Sequence, residues 1–183
     1  MAKNTAYINS MKEWDLEDIV DHVKSTHHAY LKANYPIILR LLEKVQEKQP
    51  KKFPEVKEIQ EIFIEFTDDM SRHLVKEEEI LFPYFKKLGQ YLNDPKSYEP
   101  AFFGSLKKPV QVMEDEHDDE HDIIEKIKKL SNNYTPPADA EPTHKMLYFK
   151  LKEFQEDLDL HHTIENDILF AKAEEAEKKL KVK

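Results

Sequence analysis

Two stretches of this chain repeat one pattern, and the pattern admits few folds. Ile59, Phe63, Phe66, Met70, His73, Glu77 and Ile80 follow one another in alternating four- and three-residue steps. Leu147, Leu151, Phe154, Leu158, His161, Glu165 and Ile168 repeat those steps at a constant offset, and both runs continue Ile-Leu-Phe. Such spacing is the seam of a helix facing other helices. Each seam is apolar except for one His and one Glu. Residues four apart share a helix face, so each helix points an imidazole and a carboxylate into the interior together. A second seam accompanies each: His28, Leu31, Tyr35, Ile38, Leu42, Val45 and Val110, Met113, His117, Ile124, Ile127.

Proline, glycine and asparagine cut the chain into four long periodic segments, about 15–49, 54–87, 109–131 and 143–179. Asp15 is an expected N-cap, with Glu17 and Asp18 in the first turn. Pro50 stops the first segment and Pro54 starts the second. Pro83 is expected to kink or fray the end of the second, which stops before Gly89. The connection from Gly89 to Lys108 is long for a helix–helix loop and has room for a short helix. These segments predict an all-α, up-down-up-down four-helix bundle, with residues 1–183 as one domain. His28 lies about as far before Pro50 as His73 lies after Pro54. His117 and His161 are matched likewise about the Asn133–Thr143 connection. The four histidines and two glutamates therefore meet at one depth, the first pair about 30 Å from its turn.

Unpartnered, each buried carboxylate costs several kcal/mol, and each unpaired imidazole about 1–3. Six such groups would rival a domain's whole stability of about 5–15 kcal/mol. A metal centre removes that penalty by using the groups as ligands. Six N and O ligands exceed what a tetrahedral zinc takes. Two imidazoles per cation with two shared carboxylates fit a two-metal centre, with iron the expected occupant. Ferritin-type sites use Glu-x-x-His; here Glu114-x-x-His117 is the one such match in a helix core, and the seam motifs run His before Glu.

Composition narrows the rest. The chain has no Cys, so thiolate metal sites, disulfides and a Cys nucleophile are excluded. Two Gly do not supply a phosphate-cradling loop. The formal net charge of −9 opposes nucleic acid as a main partner. The basic run Lys178–Lys183 reads as a solvated helix end. No stretch has the length of a membrane span and no signal segment is evident, so a cytoplasmic protein is expected. No nucleophile triad indicates a turnover enzyme.

His73-Leu-Val-Lys-Glu77-Glu-Glu-Ile-Leu-Phe-Pro83 and His161-His-Thr-Ile-Glu165-Asn-Asp-Ile-Leu-Phe170 resemble the paired signatures of hemerythrin-like domains. His27-His28-Ala-Tyr-Leu, Val112-Met-Glu-Asp-Glu-His117-Asp and Asn132-Asn-Tyr-Thr-Pro-Pro137 are similar to segments of the di-iron repair-of-iron-centres proteins, the ScdA type. The resemblance runs from about Asp15 to Ala171. It implies His28, His73, Glu77, His117, His161 and Glu165 as ligands of two iron ions, with both Glu bridging and an oxo or hydroxo group completing the bridge. It implies repair of iron–sulfur clusters after nitrosative or oxidative damage, with damaged or apo iron–sulfur proteins as partners. It also implies a place for Glu116 beside an iron exit or solvent path; from the residues alone Glu116 reads as a solvated flank acid. The alternative function is binding, sensing or detoxifying dioxygen or nitric oxide at the same centre.

The departures from the family are three. The small Cys-bearing domain that often precedes such chains is absent from this sequence, Ala171 replaces the usual Pro, and His121 stands where a small residue is usual. His121 either sits at the seam's edge bonded to an acid such as Glu125, or adds a fifth imidazole and leaves one iron open. The apolar pattern Leu16, Val20, Val23 would run through His27 rather than His28. His27 and His162 point about 100° from the ligands beside them. His22 and His144 read as surface residues, and Tyr30, Tyr35, Tyr84 and Tyr148 as core aromatics with wet hydroxyls.

Overall fold

A computed structural model describes residues 2–48 and 52–182. It contains eight α-helices: α1 (Ala2–Met11), α2 (Leu16–Val23), α3 (Ala29–Lys48), α4 (Pro54–Lys76), α5 (Phe82–Asn93), α6 (Lys107–Leu130), α7 (Pro142–Ile164) and α8 (Ala171–Lys181). Three π turns, Lys24–His28, Glu77–Leu81 and Glu165–Phe170, join α2 to α3, α4 to α5 and α7 to α8. The four expected rods are therefore α2–α3, α4–α5, α6 and α7–α8. The first rod packs on the second and fourth, the second on the third and fourth, and the third on the fourth. That arrangement is the up-down-up-down bundle. The expected stop at Gln49–Pro50 lies outside the described residues.

Local signals explain most boundaries. Asp15 caps α2, its side chain accepting the Asp18 amide at 3.0 Å. Pro54 and Pro142 stand in the first turns of α4 and α7. After α6 the chain turns left-handed at Asn132, Asn133 and Tyr134, with φ of 52°, 54° and 56°. The Asn133 amide closes that helix end by donating to the Lys128 carbonyl at 2.8 Å.

The second rod differs from expectation in two ways. Helix α5 runs through Gly89 to Asn93. Gly89 is no stop signal; a Cβ there would meet Leu16 Cβ at 3.7 Å, an ordinary contact, so the packing of α2 does not demand glycine. Pro83 stands in the first turn of α5 directly after the π turn and does not end the rod. The connection to α6 holds a short 3-10 turn, Pro95–Ser97. Helix α1 was not expected; Met11 and Ile8 attach it to the core.

Each π turn inserts one residue into the helical register. In the first rod, Val23 and His28 are five apart, one π step, so the apolar stripe of α2 passes to His28. In the second, the expected seam position Ile80 is 42% exposed, while Leu81 is 3% exposed and takes the inward place. Two apolar clusters fill the bundle. One gathers Val23, Leu81, Met113 and Ile164; the other gathers Leu31, Leu74, Ile124 and Leu158. On every rod the polar seam residues fall between these two clusters.

Candidate metal centre

His28, His73, His117, His161, Glu77 and Glu165 all reach one buried layer, none more than 2% exposed. Two of the π turns begin at the glutamates and the third ends at His28. The wide turns set the direction in which these side chains leave their helices.

The six side chains form two quartets that share both carboxylates: His28, His161, Glu77, Glu165 and His73, His117, Glu77, Glu165. Within each quartet the donor atoms lie within 4.8 Å of one another. Glu77 Oε2 is 3.4 Å from both His28 Nε2 and His73 Nε2. Glu165 Oε1 is 3.5 Å from His28 Nε2. Its Oε2 is 2.9 Å from His161 Nε2 and 3.4 Å from His117 Nε2. Nε2 atoms face each other at 3.1 Å in the pairs His28–His161 and His73–His117. Donors bonded at about 2.1 Å to one cation are about 3.0–3.4 Å apart in octahedral or tetrahedral arrangements. The spacings, 2.9–3.5 Å, bracket that range. None of the four carboxylate oxygens of Glu77 and Glu165 has a hydrogen-bond partner among the described residues.

The outer faces of the imidazoles are fixed. His28 Nδ1–H donates to Glu78 Oε1 at 2.8 Å, and Glu78 also accepts from Lys32. His73 Nδ1–H donates to Glu116 Oε2 at 2.9 Å, and Glu116 is held in turn by Lys76. His117 Nδ1–H donates to Asn166 Oδ1 at 2.8 Å. A proton on Nδ1 leaves the Nε2 lone pair of a neutral ring for the interior, which is the tautomer a cation needs. His161 Nδ1 has no such partner among the described residues; its ring stacks on His27, which pairs with Asp157. His27 thus supports the layer from the flank.

The imidazoles and carboxylates of the layer act on one another's protonation. Burial opposes charging His28, but Glu165 and Glu77 override it and raise its pKa to about 10. Burial is likewise overridden at His73, where Glu77 and Glu116 raise the pKa to about 11. Burial works against both Glu77 and Glu165, and repulsion from Glu165 against Glu77, yet the surrounding imidazoles hold both carboxyls below their usual range. Burial pushes the His117 pKa down.

Glu116 is not a merely solvated acid: bonded to His73 and Lys76, it lines a cleft of about 310 Å³ beside the layer. The His73 hydrogen bond, against some burial, brings its carboxyl down to about 2. His121 is not brought to the layer; its side chain is half exposed, with Nδ1 3.7 Å from Asp159 Oδ1 rather than on Glu125. Glu114 is partly exposed and stays outside as well. His144 is buried, not superficial, packed between Phe53 and Tyr148. Tyr35 keeps a buried hydroxyl without a partner among the described residues, so it is not wet.

Sequence reasoning passed over Glu120, which is buried at this level with an oxygen 3.0 Å from His162 Nε2. The signal was present: the α6 seam steps from His117 to Ile124, and Glu120 fills the missing three-residue step.

The hemerythrin HHE cation binding domain matches residues 19–173 of the chain. A probable iron-sulfur cluster repair protein of Haemophilus influenzae is 35% identical over 169 residues, covering 88% of this chain and 68% of that protein. The iron-sulfur cluster repair proteins YtfE of Escherichia coli O157:H7 and Citrobacter koseri are each 31% identical over 165 residues, covering 88% of this chain and 69% of theirs.

Proposed function

The chain belongs to the hemerythrin HHE cation binding domain family, and we propose that its two quartets hold two iron ions used in the repair of iron–sulfur clusters. His28 and His161 serve one iron and His73 and His117 the other, with Glu77 and Glu165 shared between them. The observation that carries this reading is the set of four fully buried carboxylate oxygens without hydrogen bonds, faced by four imidazole Nε2 atoms at cation-ligand spacings. Left as they are, such groups are costly. As ligands they are satisfied.

Bound there, the irons would be cargo, supplying what a damaged cluster has lost. The protein's own part is to keep the ligands aimed and dry. Glu78, Glu116 and Asn166 hold the imidazole rings by Nδ1. The two apolar clusters close the layer above and below. The cleft at Glu116 brings solvent, and with it a partner's surface, to the back of His73. The relatives' names support repair, and damaged or apo iron–sulfur proteins are the partners that follow. Dioxygen or nitric oxide binding, the alternative, gains no support from His121, which stands apart from the layer. No helix among the described residues is long and apolar enough to cross a membrane.

The test is iron transfer. The chain is loaded anaerobically with ferrous iron, freed of excess, and mixed with an apo iron–sulfur protein, sulfide and a ferrous chelator. Cluster formation that exceeds the rate with an equal dose of free iron is expected, and Glu165→Gln should abolish the excess. Iron retained by the chain, or transfer no better than free iron, would refute the repair reading.

A further inference from the structure

The quartets do not use every ligand-type side chain buried at this level. His162 and Glu120 are 8% and 4% exposed. His162 Nε2 and Glu120 Oε2 lie 3.0 Å apart, yet neither atom makes a hydrogen bond among the described residues. At that separation a hydrogen bond fails only when the N–H direction misses the oxygen. Two ligands of one cation have that geometry, because their lone pairs converge on a point beside the N–O line. Donors held at about 2.1 Å and at right angles stand about 3.0 Å apart. The same signature marks His161 and Glu165, 2.9 Å apart with no hydrogen bond to the carboxylate.

A third member stands beside them. The His117 ring stacks on His162 with centroids 4.0 Å apart. One donor atom from each of His117, Glu120 and His162 lies within 4.8 Å of the others. The group is reachable from outside. A cleft of about 320 Å³ opens on His117 and His162, and Asp118, Asp159 and Asp167 line its walls. Glu120 also lines the cleft that holds Glu116 and His73, so it stands between the two approaches.

We propose that His162 and Glu120, with the His117 ring stacked on His162 as a support, form a third cation site beside the pair, taking one divalent transition-metal ion. Imidazole and carboxylate without sulfur suit ferrous iron, manganese, cobalt or zinc. The site is weaker than the quartets for two reasons. Only two protein donors hold it, because His117 turns Nε2 toward His73 and Glu165 and gives Nδ1–H to Asn166, and a neighbouring cation repels a further one. A weak site at the mouth of a carboxylate-lined cleft, stacked against one quartet at His117, is a place where an ion halts on its way in or out. The site rests on His162 and Glu120, which the paired reading does not use, so the two readings fail separately.

The experiment is an anaerobic cobalt(II) titration of the metal-free full chain, followed by equilibrium dialysis and absorption. The parent should bind two equivalents tightly and a third more weakly. Glu120→Gln and His162→Phe should each keep the first two equivalents and the cooperative helical melt, while affinity for the third falls about tenfold or more. Three results overturn the proposal: a parent that stops at two, variants that bind the third as the parent does, or variants that lose the first two along with it. A parent that binds a single cation, lost in both variants, would overturn the pair and uphold this site.

Discussion

Glu165 is the residue on which the paired centre is most exposed to attack. Its Oε1 faces His28, and its Oε2 faces His117 and His161. Glu165→Gln keeps the volume and removes the charge, and it weakens both quartets at once. Cation binding to the folded state stabilises it by about 4 kcal/mol when free metal stands at about a thousand times Kd. For a chain of this size about 1 kcal/mol moves Tm by about 2–4 °C. Ferrous iron under those conditions should therefore raise the parent's Tm by about 8–16 °C. Loss of a ligand from each quartet lowers affinity by far more than the roughly 10–100-fold typical of an outer-shell change, so the variant's gain at the same free iron should nearly vanish. Thermal melts followed by circular dichroism, anaerobic, with and without iron, measure both. A Glu165→Gln protein that gains as many degrees as the parent would refute the assignment of this carboxylate.

The π turn in the second rod predicts that Leu81→Ala costs about 2–5 kcal/mol while Ile80→Ala costs about 0.5 or less; urea unfolding should give that order, and the reverse order would restore an unbroken α register. Asp15→Ala should remove about 1 kcal/mol by leaving the Asp18 amide uncapped, seen as a Tm lower by about 2–4 °C. His144 is buried between aromatic rings, and burial, against a small pull from Glu55, holds its pKa below the usual 6.5. The unfolded chain then takes up a proton near pH 6.5 that the folded chain refuses, so stability falls as pH drops from there toward the folded value. His144→Phe should flatten that part of the acid limb in metal-free protein, and an unchanged slope would contradict it.

The seams disclosed the bundle and the convergence of His28, His73, Glu77, His117, His161 and Glu165, because a buried polar residue interrupts an apolar repeat visibly. The wide turns were not legible. A π step adds one residue without changing composition, so the shift from Ile80 to Leu81 and the passage from Val23 to His28 show only in coordinates. Glu120 was missed because an acid on a highly charged helix reads as solvated, although it fits the seam. His144 was missed although it stands three residues before Leu147 on the α7 seam and four before Tyr148; its other partner, Phe53, lies far off in the sequence. Gly89 looked like a stop because nothing local tells a glycine that a helix runs through from one that ends it.

On the proposed reading, cations hold the buried imidazoles and carboxylates together. Metal analysis after anaerobic loading with ferrous iron and removal of excess tests it most directly. The account predicts about two irons per chain in the parent and a marked loss in Glu77→Gln. Fewer than one iron per chain in the parent, or full occupancy in the variant, would contradict it.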